Sequence, residues 1–224
     1  MVLSVGGSVF ATGEGDAAFI DKLSILLRRL SREIPLVVTV GGGPTAREYI
    51  HLGRALGLTE VELDEIGIDV TRLHARLLAA RVGPPAPAHP PTTLAQAVHE
   101  AHRVSPVILG GTEPGHTTDA VASLLAVRLR AVRVVNATRV DGVYDSDPAK
   151  NRKARRLDRI TWERFRSMVA AGTDGEAGQE FVFDRLGAEA LARARIPLRV
   201  VQGRDLDNLE AALRGREFDG TRIG

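Results

Sequence analysis

The stretch Gly110-Gly-Thr-Glu-Pro-Gly-His-Thr-Thr-Asp119 decides the fold, read together with what flanks it. The apolar run Val107-Ile-Leu109 enters it, and Ala120-Val-Ala-Ser-Leu-Leu-Ala126 leaves it with the pattern of a helix. A buried strand that empties through glycines and threonines into a helix start is a βα junction. Its small residues let backbone N–H groups gather at the positive end of a helix dipole, which favours phosphate. The arrangement recurs in Val5-Gly-Gly-Ser8 and in Val40-Gly-Gly-Gly-Pro-Thr-Ala-Arg47. Three such junctions predict one site that grips several phosphates.

Working outward, Val2–Val5 and Leu36–Val40 read as buried strands, and Asp16–Ser31 as a helix with Phe19, Leu23, Leu26, Leu27 and Leu30 on one face. Pro44 suits the first turn of a helix running to Ala55. Glu60–Arg81 reads as a long helix with Leu63, Ile66, Val70, Leu73 and Leu77 on its apolar side. Pro84–Pro91 interrupts the pattern as a stiff surface loop. Helix over Thr92–Arg103, strand over Pro106–Leu109, helix over Thr117–Leu129 and strand over Val132–Ala137 then complete a βα alternation. That alternation predicts a mostly parallel sheet covered on both faces.

Further on, Val140–Pro148 reads as a small hairpin, followed by a helix near Trp162–Ala171 and a loop over Gly172–Gly178. A helix over Asp184–Ala194, a strand over Leu198–Val201, a short helix over Leu206–Leu213 and an edge strand at Gly220–Ile223 end the chain. The expectation is a single domain over 1–224, with an acceptor and phosphate lobe over 1–130 and a donor lobe over 131–224.

Composition narrows the function. The 224 residues are 44% hydrophobic and 26% charged, enough for one large α/β core. No apolar run reaches the roughly 20 residues of a membrane span, and a strand two residues after Met1 leaves no place for a signal peptide. A cytoplasmic protein without membrane attachment is expected. Cysteine is absent, so thiol ligands and nucleophiles are excluded. A net charge of +2 and 4% aromatics give no basic, stacking surface for nucleic acid, and Lys150–Arg156 reads as a solvated loop. Lysine occurs only at 22, 150 and 153, so cations acting on phosphate elsewhere are arginines. His99 and His102 read as a solvated face and not as metal ligands.

Five motifs in register carry a resemblance across nearly the whole chain. They are Gly6-Gly-Ser8; Gly41-Gly-Gly43 with Arg47; Asp64 through Gly67-Ile68 with Thr71-Arg72; Gly110–Asp119; and Val140-Asp-Gly-Val-Tyr144 with Asp147-Pro148. In order and spacing they resemble the amino acid kinase family, in detail its uridylate kinase branch of archaeal type. The resemblance implies a three-layer αβα sandwich around a mostly parallel sheet of about eight strands. It also implies a Mg²⁺–ATP donor, UMP as acceptor, UDP as product, and a homohexamer.

Carried over residue by residue, it places Gly7, Ser8, Gly43 and Arg47 along the donor phosphates. Gly42, Asp64 and the loop Thr112, Glu113, Pro114, Gly115, His116, Thr117 and Thr118 fall around the acceptor. Thr138, Arg139, Tyr144 and Asp147 fall at the donor nucleoside. Arg47, Asp119 and Ser8 are the catalytic candidates, and no protein-built metal site is expected because Mg²⁺ is held mainly by nucleotide phosphates. Ser4 stands where many members carry a lysine, and Arg139 where Asn or Asp is common.

The chemistry agrees with these residue types. A phosphomonoester acceptor is largely dianionic at neutral pH and needs no general base, so positioning and charge neutralisation carry catalysis. Arg47 supplies a planar fork for phosphate oxygens. Asp64 is either a solvated helix residue or an acceptor for two ribose hydroxyls, and Asp119 is either an ordinary first-turn carboxylate or a group that orients the Gly6–Ser8 turn or a metal-bound water. Thr117 and Thr118 suit either helix capping or ligand contact. Two other readings compete: another small acceptor on the same fold (isopentenyl phosphate, carbamate, an amino acid), and a non-catalytic nucleotide-binding storage or regulatory protein.

Overall fold

The computed structural model describes residues 1–10, 16–146, 148, 151–173 and 183–224. The chain opens with β1 (Val2–Val5), whose four residues are all buried, and passes through Gly6 into a single turn, α1 (Gly7–Phe10). The amphipathic α2 (Asp16–Leu30) buries Phe19, Ile20, Leu23, Leu26, Leu27 and Leu30. Next come β2 (Val37–Val40) and α3 (Gly43–Ala55), which starts with Pro44 in its first turn. The long α4 (Glu60–Val82) begins at a reciprocal capping box between Thr59 and Glu62.

After the proline stretch follow α5 (Leu94–Ala101), β3 (Val107–Leu109), α6 (Thr118–Arg128) and β4 (Val134–Thr138). The chain ends with β5 (Arg159–Ile160), α7 (Trp162–Thr173), α8 (Arg185–Ala194), β6 (Leu198–Gln202), α9 (Leu206–Arg214) and β7 (Thr221–Ile223). The first three strands and β4 and β6 fall within two residues of their sequence-based bounds. So do most of the helices, because the apolar periods are strong.

The strands form one sheet in the order β3-β2-β1-β4-β6-β7-β5, parallel throughout except for the antiparallel β6–β7 pair. One face is covered by α2, α4 and α9 through a core that includes Leu3, Val5, Leu27, Leu78 and Leu209. The other is covered by α5, α6, α7 and α8 through Val2, Val37, Leu125, Phe165 and Leu191. The three-layer α/β expectation holds, with seven strands among the described residues where about eight were expected.

Four expectations need correction. Gly220–Ile223 is no edge: β7 lies between β6 and β5, and the two-residue β5 is the edge strand. It was invisible because two residues carry no period. Leu73 and Leu77 are exposed, and the buried side of α4 runs instead through Thr71, His74, Ala75 and Leu78. The small hairpin expected over Val140–Pro148 is not found among its described residues. Residues 143–145 pair with 155–157: the Leu157 N–H donates to Val143 O at 2.8 Å and the Asp145 N–H to Arg155 O at 3.0 Å. The first two residues of the expected loop at 172–178 are the last of α7, and residues 174–178 lie outside the described residues.

Candidate active site

Strand order reverses between β1 and β4: β2 and β3 lie to one side, β6 onwards to the other. In an open parallel sheet the crevice beyond the carboxyl ends of such strands is where ligands bind. Gly6–Ser8 leaves β1 there and Thr138–Arg139 leaves β4. The two are stitched together by the Gly6 N–H donating to Ala137 O at 2.9 Å, and a Cβ on Gly6 would stand 3.9 Å from Thr138 Cα.

The turns after β1 and β2 meet backbone to backbone. A Cβ on Gly7 would lie 1.9 Å from Gly43 N, and one on Gly41 2.5 Å from Gly7 N. Gly43 has φ +59°, and its Cβ would stand 2.3 Å from Gly7 O. No side chain fits at this contact. The turns abut at the starts of α1 and α3, where the first N–H groups of a helix have no intrahelical partner. Arg47 projects from α3 on an exposed position, and Ser8 is half-buried in α1.

The third junction is held from α4. The Thr71 hydroxyl donates to Ile68 O and accepts from the Gly111 N–H, both at 2.6 Å. Arg72 donates from Nε to Gly111 O at 3.2 Å and from Nη2 to Thr112 O at 3.1 Å. Asp64 is exposed, and its Oδ2 accepts from the Gly115 N–H at 2.8 Å. Glu113, Pro114 and Gly115 are exposed, as is Thr117, whose hydroxyl caps α6 by accepting from the Ala120 N–H at 3.1 Å. His116 Nδ1 lies 3.0 Å from Glu113 Oε1, and among the described residues neither this buried nitrogen nor the buried Thr112 hydroxyl makes a hydrogen bond.

At the start of α6, Asp119 accepts at 2.6 Å from the Ser4 hydroxyl of β1. Burial pushes its carboxyl up to about 6, with Asp184 at the cap of α8 adding to the rise and the Ser4 bond opposing it. Beneath it runs a feature the sequence reading missed. Thr39 of β2 and Asn136 of β4 are register partners of Ser4, so three fully or almost fully buried polar residues form one row across the sheet. Among the described residues the Thr39 hydroxyl has no hydrogen-bond partner. A signal existed: β1 and β2 each carry one polar residue in an otherwise apolar run, and in β4 Asn136 interrupts the apolar Val134–Ala137.

In the segment after β4, Tyr144 Oη donates to Asp141 Oδ1 at 2.8 Å, which raises the phenol above its usual range. Arg156 donates from Nη1 to Asp141 Oδ2 at 2.9 Å and from Nη2 to Asp219 Oδ1 at 2.5 Å. Arg156, read from sequence as the end of a solvated basic run, is therefore a tie between this ribbon and the segment before β7. Arg139 is exposed and Thr138 half-buried. Asp147 lies outside the described residues. One cavity of about 330 Å³ lies between α7 and α8, and another of about 520 Å³ is bordered by Phe10, Ile20, His74 and Leu77.

A doubly wound sheet with glycine turns packed at its switch point is the build of an α/β enzyme that handles phosphoryl groups. The chain belongs to the amino acid kinase family, whose model matches residues 1–202. Uridylate kinases are among its relatives. That of Methanosarcina barkeri is 41% identical over 213 residues, covering 95% of this chain and 91% of that protein. That of Methanobrevibacter smithii is 36% identical over 223 residues, covering 100% and 98%. The crystal structure of uridylate kinase from Archaeoglobus fulgidus superposes with a TM-score of 0.89 at 36% identity, over 100% of this chain and 99% of that one. The UMP kinase from Bacillus anthracis, at 20% identity and a TM-score of 0.79 over 100% and 94%, shares the fold.

Proposed function

We propose that this chain is a UMP kinase that transfers the terminal phosphoryl group of Mg²⁺–ATP to UMP, giving ADP and UDP. The observation that carries the reading is the full-length likeness to uridylate kinases, joined to the glycine turns of β1 and β2 meeting at the switch point. In this reading Gly7, Ser8, Gly43 and Arg47 cradle the donor phosphates, and Thr138, Arg139, Tyr144 and Asp147 take the donor nucleoside. Gly42, Asp64 and Thr112–Thr118 take the acceptor, the free oxygen of the Asp64 carboxylate facing the ribose. The 1–130 and 131–224 halves divide the labour between acceptor and donor.

Because the acceptor phosphate is already anionic, no residue has to remove a proton. The chain's task is to hold two polyanions together. Ser4 brings no cation to this point, so first-turn amides and Arg47 supply the chain's own share of positive charge. Arg47→Ala lowers turnover roughly 10²–10³-fold, the scale of losing one charge-stabilising donor; steady-state kinetics at saturating nucleotides checks this.

Mg²⁺ fits as an ion that arrives with the donor. Among the described residues no cluster of three His, Asp or Glu could cage it, while Asp119 offers one carboxylate beside the turns. When bound it neutralises phosphate charge. A homohexamer in the cytoplasm is the expected setting. Exposed apolar residues on α3, at its C-cap and on α4, among them Tyr49, Leu52, Leu56, Leu73 and Leu77, support self-association. Among the described residues no helix is long and apolar enough to cross a membrane.

The test is chromatography of a reaction with ATP, Mg²⁺ and UMP. Equimolar UDP and ADP over many turnovers are expected. Retention of ATP without turnover is the result of a storage or regulatory protein and would overturn the reading.

A further inference from the structure

One helix touches both the second and the third glycine junctions. Thr71 and His74, three residues apart on α4, share its sheet-facing side. His74 is buried, with Nδ1 2.9 Å from Gly41 O and its ring 5.2 Å from that of Phe10 in α1. A carbonyl oxygen only accepts, so the proton sits on Nδ1 and His74 is the donor. One turn earlier, the Thr71 hydroxyl is committed at both ends: its proton goes to Ile68 O and its lone pair takes the Gly111 N–H. Arg72 holds the Gly111 and Thr112 carbonyls.

Contact is as close as the backbone allows. A Cβ on Gly110 would stand 2.6 Å from the Thr71 carbonyl carbon and the Arg72 nitrogen, and one on Gly42 3.4 Å from Thr71 Cγ2. The turn from Ile68 to His74 is thus a wedge with Gly41–Gly43 on one side and Gly110–Thr112 on the other. The helix carrying it is a stiff rod of 23 residues fixed at its start by the capping box.

We propose that Thr71 and His74 are positioning residues that set the separation of the two loops, and hence of the phosphates they hold, without touching either nucleotide. The proposal rests on the kinase reading for its consequence, but its structural part does not. Gly41 in turn packs on Gly7, so His74 also fixes the first turn at one remove. A shift of about 1 Å between phosphate-holding loops is enough to cost about 10²-fold in rate. An inert buried histidine would show none of this.

The experiment compares His74→Leu with His74→Asn, whose side-chain N–H takes the place of Nδ1–H, and Thr71→Val with Thr71→Ser. Two quantities are read in each: kcat/KM for UMP at saturating ATP, and hydrogen exchange of peptides covering residues 41–43 and 110–112. Leu and Val variants are expected to lose roughly 10- to 100-fold in kcat/KM and to exchange faster in the adjoining loop; Asn and Ser variants are expected to recover both. If His74→Leu does not fold, Thr71→Val carries the test, since it replaces one hydroxyl by a methyl. Folded Leu and Val variants with unchanged rates and exchange would overturn the proposal, as would Asn and Ser variants as impaired as the apolar ones. If the wild-type chain does not phosphorylate UMP, the exchange measurements still decide whether the loops depend on these two side chains.

Discussion

At Gly7 the cost of a single methyl group is set by backbone and not by a movable side chain. Its Cβ would overlap Gly43 at 1.9 Å, so Gly7→Ala must separate the two turns. Gly57 is the contrast: φ is +81° but nothing lies within 4 Å of its Cβ, so Gly57→Ala carries only the left-handed backbone cost of about 1–2 kcal/mol. The expected outcome is loss of at least about 10²-fold in turnover for Gly7→Ala, with turnover of Gly57→Ala unchanged. Parallel kinetics and melting curves check it, and equal behaviour of the two variants would contradict it. That Ser8, Gly42 and Gly43 lie in tight turns after buried strands was legible in the sequence, because small residues follow apolar runs there.

Asp119 makes one identifiable contribution to the pH dependence of stability. Its folded carboxyl, at about 6, lies above the ordinary aspartate value of about 4. Between those values the folded chain holds more protons than the unfolded one. Stability therefore falls as pH rises through that window, and the loss persists at neutral pH. Asp119→Asn keeps an oxygen for the Ser4 hydroxyl and removes the charge. The side chain retains some exposure, so the gain is smaller than the shift alone implies, on the order of 1–2 kcal/mol, or a few degrees in Tm at pH 7. Melting temperatures across pH 4–7 are expected to show a flatter profile for the variant; a lower Tm than wild type at pH 7 would contradict the account.

At the scale of elements, the ribbon of residues 143–145 and 155–157 shows what spacing alone misses. Asp-Gly at 141–142 is a turn signal, yet Val143, Tyr144 and Asp145 find their partners at Leu157, Arg156 and Arg155. Long-range pairing of short strands leaves no local period to read. Arg156 closes the ribbon by sharing Asp141 with Tyr144 and reaching Asp219. Arg156→Ala is expected to raise KM for ATP roughly tenfold, the scale of one lost charge-assisted hydrogen bond, while kcat at saturating ATP changes little, because the damage is to donor placement. Equal losses in kcat and kcat/KM would place Arg156 in the transition state instead. The β7–β5 edge was missed for the same lack of length. Thr71, Arg72 and His74 were missed as anchors because a helix face names what is buried and not which loop lies across it.

For the whole molecule, the order of strands and glycine turns was readable because each βα unit repeats the same physics: a buried apolar strand, a turn too crowded for side chains, a helix start. What could not be read was the closing of those units on one another. The backbone contact of Gly7 with Gly43 and the row Thr39–Ser4–Asn136 exist only once strands 2, 1 and 4 lie side by side. The central claim, that this crevice is built for a nucleoside monophosphate, has one direct test. Initial rates with Mg²⁺–ATP are compared across UMP, CMP, dUMP, isopentenyl phosphate and carbamate. The account predicts the highest kcat/KM for UMP, with dUMP poorer because Asp64 loses a ribose hydroxyl to hold. A preference for isopentenyl phosphate or carbamate over UMP would contradict it.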